Sequence, residues 1–149
     1  MLGRQILEAL YFLYENNLLY GHLHSGNVFF DFEQTQSIKL FDLTNTIAGV
    51  SSKYRYYLSN FRHIQVEWRI FLNERNYFNE FVCRLQTLQQ CDIYAFGRLL
   101  YELSTGEECP FGVCAEFPYL IPISVQEILS KILVPSGHLP TIEQLLNEP

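Results

Sequence analysis

Positive charge is scarce in this chain. Ten Lys and Arg stand against sixteen Asp and Glu in 149 residues, a formal net charge of -6, and the basic residues are scattered singly. A surface of that sign repels phosphate backbones and anionic headgroups, which argues against nucleic-acid binding and against membrane contact by the chain itself. Cysteine is also sparse. Cys83, Cys91, Cys109 and Cys114 are irregularly spaced, and CPFGVC has no His or Cys partner at ligand spacing. Neither a disulfide framework nor a zinc site is expected, and the thiols read as reduced, mostly buried groups of a cytoplasmic protein. No apolar run is long enough to span a bilayer, and Met1 is not followed by a signal-peptide pattern. Internal repeats and low-complexity tracts are missing too.

What the chain has is apolar mass: 48% hydrophobic and 15% aromatic residues, enough for one well-buried domain core. Met1 to Asn16 places Ile6, Leu7, Leu10, Leu13 and Tyr14 at three- and four-residue steps, the spacing of an amphipathic helix that Asn16-Asn17 ends. This helix starts at the first residue with no cap before it, as if the chain were cut into a longer one. Leu18-Leu19-Tyr20 reads as a short strand, Gly21 to Asn27 as a polar loop, Val28 to Phe30 as a second strand, and Ile38 to Phe41 as a third that ends at Asp42. That order brings Asn27 and Asp42 together at the ends of neighbouring elements.

From Leu43 to Gln90 the pattern weakens, although Val66 to Leu85 carries a helical period. Its interleaved aromatics and arginines suggest base stacking, a reading that the net acidity opposes. Asp92 to Leu103 is the strongest helix, with Ile93, Phe96, Leu99, Leu100 and Leu103 on a wide apolar face and Gly106 as its stop. Ser124 with Glu127 forms a capping-box pattern for a helix over Val125 to Leu133, and Thr141 to Leu146 closes the chain as a short helix.

Three separated stretches in this order, ILEALYFLYENNLLYGHLHSGNVFF, IKLFDLTN and DIYAFGRLLYELSTGEECPFG, resemble the C-terminal lobe of a eukaryotic protein kinase. They are most similar to the branch of PX-domain-containing kinase-like proteins and their slowpoke-binding relatives. The resemblance implies a mainly α, α+β kinase-like fold in which residues 1–149 form the C-lobe without its N-lobe. An active kinase carries H-R-D-L-x-x-x-N here, with Asp as base and Asn on magnesium, and D-F-G with Asp on magnesium. In this chain Tyr20, Gly21 and His22 stand in the places of His, Arg and Asp, and His24 stands where a phosphate-directed Lys would be. Asn27 keeps its place, and Asp42-Leu43-Thr44 replaces Asp-Phe-Gly.

By this resemblance no catalytic residue is expected. His22 is a proton acceptor in principle, with an ordinary pKa of about 6.5; otherwise it is a hydrogen-bonded loop residue. Asn27 and Asp42 would be the residual metal and nucleotide positions, or simply a loop bond and a turn cap. Asp92 matches the aspartate that holds the catalytic-loop backbone. Leu139 occupies the place of an arginine whose glutamate partner would be Glu80. Residues 66–85 read either as an insertion or as a long activation segment with its own helix.

The expected function is a noncatalytic pseudokinase-type module with a protein partner, set in membrane trafficking or channel regulation. Such a module requires no cofactor, Mg-ATP being at most residual. Longer family members would reach phosphoinositide membranes, endosomes included, through a PX domain. A weak serine/threonine kinase lobe that needs an N-lobe, and a truncated product without independent function, are the alternatives.

Overall fold

The computed structural model describes residues 2–18, 20–21, 23–33, 37–43, 88–109, 117–133 and 139–148. His22, Thr44, Glu80, Cys83, Cys114 and the whole 66–85 segment lie outside the described residues. The described elements are α1 (Leu2–Glu15), a 3-10 turn (Ser25–Asn27), β1 (Val28–Asp31), β2 (Ser37–Leu40), α2 (Leu88–Thr105), α3 (Ile123–Leu133) and α4 (Ile142–Leu146). The fold is mixed, with helices predominating, and its two strands form one antiparallel hairpin that pairs Val28 with Leu40 and Phe30 with Ile38.

Helix α2 organises the packing. It contacts α1 and α3, while α1 also touches β2 and α4. The core joins Ile6, Leu7 and Leu10 of α1, Ile93, Phe96, Leu99 and Tyr101 of α2, and Leu129, Ile132 and Leu133 of α3. Tyr20, Leu23, Ile121, Ile142 and Leu145 complete it. Gln5 fastens α1 to the hairpin, its side-chain oxygen accepting the Ile38 N–H at 2.9 Å.

The structure departs from the sequence expectations at the edges of elements. Leu18 and Tyr20 are not in a strand, because the Tyr20 N–H is taken by a side chain from α2 and joins no ladder. Tyr14 is 43% exposed and Leu103 48% exposed, although both fit an apolar stripe by spacing. Towards the end of α2 the buried face turns to the side of Gly97 and Tyr101, where α3 packs, and this leaves Leu103 outside. Helix α3 begins at Ile123, so Ser124 lies within its first turn, and the N–H groups of Val125 and Gln126 donate to the Pro122 carbonyl. The capping box stands instead on α4, where the Thr141 hydroxyl accepts from Gln144 N–H and the Gln144 side chain returns a bond to the Thr141 N–H. Gly106, at φ 74°, ends α2 in the left-handed conformation that glycine adopts without crowding.

The α2–α3 contact is close enough to exclude a single methyl group. A Cβ on Gly97 would lie 2.5 Å from Ile132 Cγ2 and 3.1 Å from Ile132 Cβ, and Ile132 is β-branched and buried. Gly97→Ala gains roughly 1 kcal/mol of helix propensity and loses about 1–3 kcal/mol to overpacking. A net loss of stability in urea unfolding is the expected outcome, and a stabilised variant would show that the two helices separate readily.

Candidate functional site

The loop from Tyr20 to Asn27 is held from beneath by a buried carboxylate. Asp92, in the first turns of α2 and 3% exposed, accepts the Gly21 N–H on Oδ1 at 2.8 Å and the Tyr20 N–H on Oδ2 at 3.0 Å. Each oxygen takes one donor, so the carboxylate spans two consecutive peptides and fixes the chain direction as it leaves the core. Gly21 sits at φ 68°, which suits glycine and lets both N–H groups face the same carboxylate. Burial pushes the Asp92 carboxyl up to about 7, although the bonds from Gly21 and Tyr20 pull it down.

His24 has a structural part in this geometry. It caps the 3-10 turn: its Nδ1 accepts the Gly26 N–H at 3.1 Å and its carbonyl accepts the Asn27 N–H at 3.0 Å. A backbone N–H can only donate, so Nδ1 must be the unprotonated nitrogen of the ring. The side chain thus turns the backbone towards the hairpin.

Asn27 and Asp42 are brought to the same end of the hairpin. The Asn27 carbonyl accepts the Phe41 N–H at 2.9 Å, which extends the β1–β2 pairing by one bond and places Asp42 next in chain. Asp42 is exposed and lies at φ 56°, the left-handed region that Asp and Asn tolerate better than other side chains. The Asn27 side chain bonds the Tyr20 phenol. As a donor set for magnesium, Asn27 Oδ1 and the Asp42 carboxylate have the right hard-oxygen chemistry but supply two ligands of the six that the ion takes. Among the described residues no group of three or more His, Cys, Asp or Glu side chains is placed to hold a metal.

The outward face of the hairpin is aromatic. Phe29 and Phe41 are 56% and 52% exposed and meet edge to face with ring centroids 6.0 Å apart. Phe32 stands further out, edge to face with Phe30 at 4.2 Å. Lys39 lies opposite Phe29 in the ladder and bonds Asp31 at 3.1 Å, so that pair is satisfied within the hairpin.

Sequence reasoning missed Tyr20 as a working residue. Its hydroxyl donates to the Phe41 carbonyl, and burial first, then the Asp42 and Asp92 charges, push its ionisation up to about 12. The available signal was chemical: a tyrosine in an otherwise apolar core segment needs a partner for its hydroxyl. Leu139, which replaces the expected arginine, is partly buried against the core.

Asp92 generates a pH dependence of defined sign. Its pKa is about 7 in the folded chain against 3.8 for an ordinary aspartate, so folding favours the protonated form. Its contribution to stability is fully present below an ordinary aspartate pKa of about 3.9, and it is lost as pH rises through about 7. Urea midpoints from pH 4 to 8 should fall with rising pH in the native chain, and Asp92→Asn should remove that component of the slope. Asp92→Ala leaves two backbone donors without their acceptor and should cost about 2–4 kcal/mol. Equal slopes for the native chain and Asp92→Asn would contradict the assignment.

Among the described residues no helix is long and apolar enough to cross a membrane. No protein-family model and no solved structure matches the chain. Proteins of known name do. A PX domain-containing protein kinase-like protein of Mus musculus is 33% identical over 150 residues, covering 99% of this chain and 22% of its own length. The slowpoke-binding protein of Drosophila melanogaster is 39% identical over 108 residues, covering 72% of this chain and 16% of that protein. A probable inactive serine/threonine-protein kinase of Dictyostelium discoideum is 29% identical over 146 residues, covering 96% and 21% of the two chains. The chain thus spans about a fifth of the length of these relatives, and along most of its own length it is homologous to PX domain-containing protein kinase-like proteins and the slowpoke-binding protein.

Proposed function

We propose that this chain is a noncatalytic interaction module, a kinase-like C-terminal lobe comprising residues 1–149 that acts within a longer protein by docking another protein on its loop and hairpin. The observation that carries this reading is the Asp92 clamp. The loop backbone is held at Tyr20 and Gly21 by a carboxylate whose burial is unfavourable, while the sequence offers His22 at the position of the catalytic base. An ordering device is kept beside a loop in which histidine stands at the place of the usual aspartate base, which suits a surface to be recognised better than one that turns over.

The exposed ring pair of Phe29 and Phe41 supplies the apolar centre that protein docking favours. The names of the relatives agree in direction, since one is called slowpoke-binding and another an inactive kinase. The setting we propose is channel regulation or membrane trafficking. The chain would work in the cytoplasm, and a longer form would reach phosphoinositide membranes or endosomes through a PX domain.

Residual contact with Mg-nucleotide is the second reading. It is favoured by the Phe41–Asn27 backbone bond, which sets Asn27 and Asp42 at one end of the hairpin. Asn27 and Asp42 would hold the ion through their side-chain oxygens, and the ion would supply positive charge to offset that of phosphate.

Two measurements test the proposal. A longer form that carries a preceding lobe, supplied with Mg-ATP and a peptide substrate, should transfer no phosphate above background, with or without His22→Ala or Asp42→Asn. Transfer that both substitutions abolish would establish the enzyme instead. The double variant Phe29→Ser/Phe41→Ser should change stability by no more than about 1–2 kcal/mol, since both rings are half in solvent and lose chiefly their mutual contact. The same variant should weaken binding to the cytosolic region of a slowpoke-type channel by about tenfold or more. Unchanged binding would move the docking surface elsewhere.

A further inference from the structure

The turn that leads into α3 is anchored at both ends and bare at its tip. The Ile121 N–H donates to the Pro118 carbonyl at 3.0 Å, which closes a four-residue turn with Tyr119 and Leu120 at its two central positions. Ile121 is the anchor on one side. Its side chain is 1% exposed in the core, and its carbonyl accepts the Gln126 side chain at 2.8 Å. On the other side Phe117 packs against the core, and the ring of Pro118 fixes its own φ. Between these anchors Tyr119 is 90% exposed and Leu120 67%, and Ile123 just beyond them is 76% exposed.

A single exposed apolar residue is ordinary. Tyr119 is set apart by comparison with the other described tyrosines. Tyr11 and Tyr14 lie in α1, Tyr94 and Tyr101 lie in α2, and Tyr20 is buried. A phenol reaches the catalytic groups of another protein only where its backbone can follow it, and from a helix or a core that takes local unfolding. Tyr119 needs none. It lies outside helix and strand, and among the described residues no hydrogen bond or ring contact engages its side chain.

We infer that Tyr119 is a site of tyrosine phosphorylation by an ATP-dependent protein kinase, and that its phosphate stays in solvent on an intact turn. In the transfer the phenol oxygen bonds the γ-phosphorus of ATP as the bond to the β–γ bridging oxygen breaks. ADP leaves, and the phenolic proton passes to the kinase's base. The product carries about −1.5 to −2 charges at pH 7. Each described cation already meets an oxygen of this chain: Arg4 meets Glu8 and the Leu146 carbonyl, Lys39 meets Asp31, Arg98 meets the Cys109 carbonyl, and Lys131 meets Glu148. The phosphate is therefore left for a partner, beside the exposed Leu120, and the chemistry that reads it is an arginine pocket. No residue of the loop or hairpin takes part, so the site stands apart from the function proposed above.

The test treats the whole 149-residue chain with Mg-ATP and a soluble protein tyrosine kinase and locates the phosphate by mass spectrometry over time. Tyr119 should be modified about tenfold or more faster than each of Tyr11, Tyr14, Tyr20, Tyr94 and Tyr101. Tyr119→Phe should remove that component and leave the urea midpoint unchanged, since the hydroxyl supports no contact. In the phosphorylated chain the Ile121 amide should keep its protection from exchange. The chain recovered from cultured animal cells treated with vanadate, which blocks tyrosine phosphatases, should carry phosphate at residue 119. Modification of Tyr119 no faster than that of the helical tyrosines, loss of Ile121 protection, or no phosphate at residue 119 in those cells would overturn the inference.

Discussion

One buried carboxylate sets the geometry on which the site depends. Asp92 is the one charged residue in the core among the described residues, and its two oxygens accept two consecutive backbone N–H groups. Burying that charge is unfavourable, as its raised pKa shows, and in return the strand-length stretch before the loop is held without a strand. Fixing Tyr20 fixes its phenol, the phenol fixes Phe41, and Phe41 bonds Asn27. The hairpin is therefore tied to α2 through side-chain chemistry, and its contact with α1 comes separately through Gln5 and Ile38.

The same chain of bonds shows how the loop from Tyr20 to Asn27 can hold its shape without a bound ligand, as the proposed noncatalytic role requires. In phosphoryl transfer the protein mainly positions phosphates, metal and acceptor. In the proposed reading the positioning bonds remain while the residue types expected for chemistry are changed, and His24 serves as a turn cap whose ring accepts the Gly26 N–H. Order and reactivity are separable properties of such a loop, because the Asp92 bonds that hold it run to the backbone N–H groups of Tyr20 and Gly21 and do not depend on the side chain at residue 22.

Much of the fold was legible in the sequence. The three- and four-residue spacing in α1 and α2 and Gly106 as a stop match observed elements, although α2 starts at Leu88 and not at Asp92, and Thr141, read as the first residue of the last helix, is its N-cap. What periodicity could not tell was which neighbour covers each face. Leu103 and Tyr14 fit an apolar stripe but face solvent, whereas Tyr101 is buried and Gly97 meets Ile132 and Leu133 of α3. Leu18 to Tyr20 looked like a strand since apolar residues alternate poorly over so short a run, and a carboxylate 72 residues away claims the Tyr20 N–H instead. At the site, the juxtaposition of Asn27 and Asp42 could be read from element order. The Tyr20–Phe41 bond could not, since no local pattern reports which carbonyl a buried phenol will find.

Order without turnover is the central claim, and amide exchange across residues 20–42 tests it most directly. The measurement uses a longer form with a preceding lobe, in the absence and presence of Mg-ATP. The Tyr20 and Gly21 amides should be strongly protected without nucleotide and should not change when it is added. Rapid exchange at both amides that slows only when Mg-ATP binds would contradict the account, because the loop would then be ordered by substrate and not by Asp92.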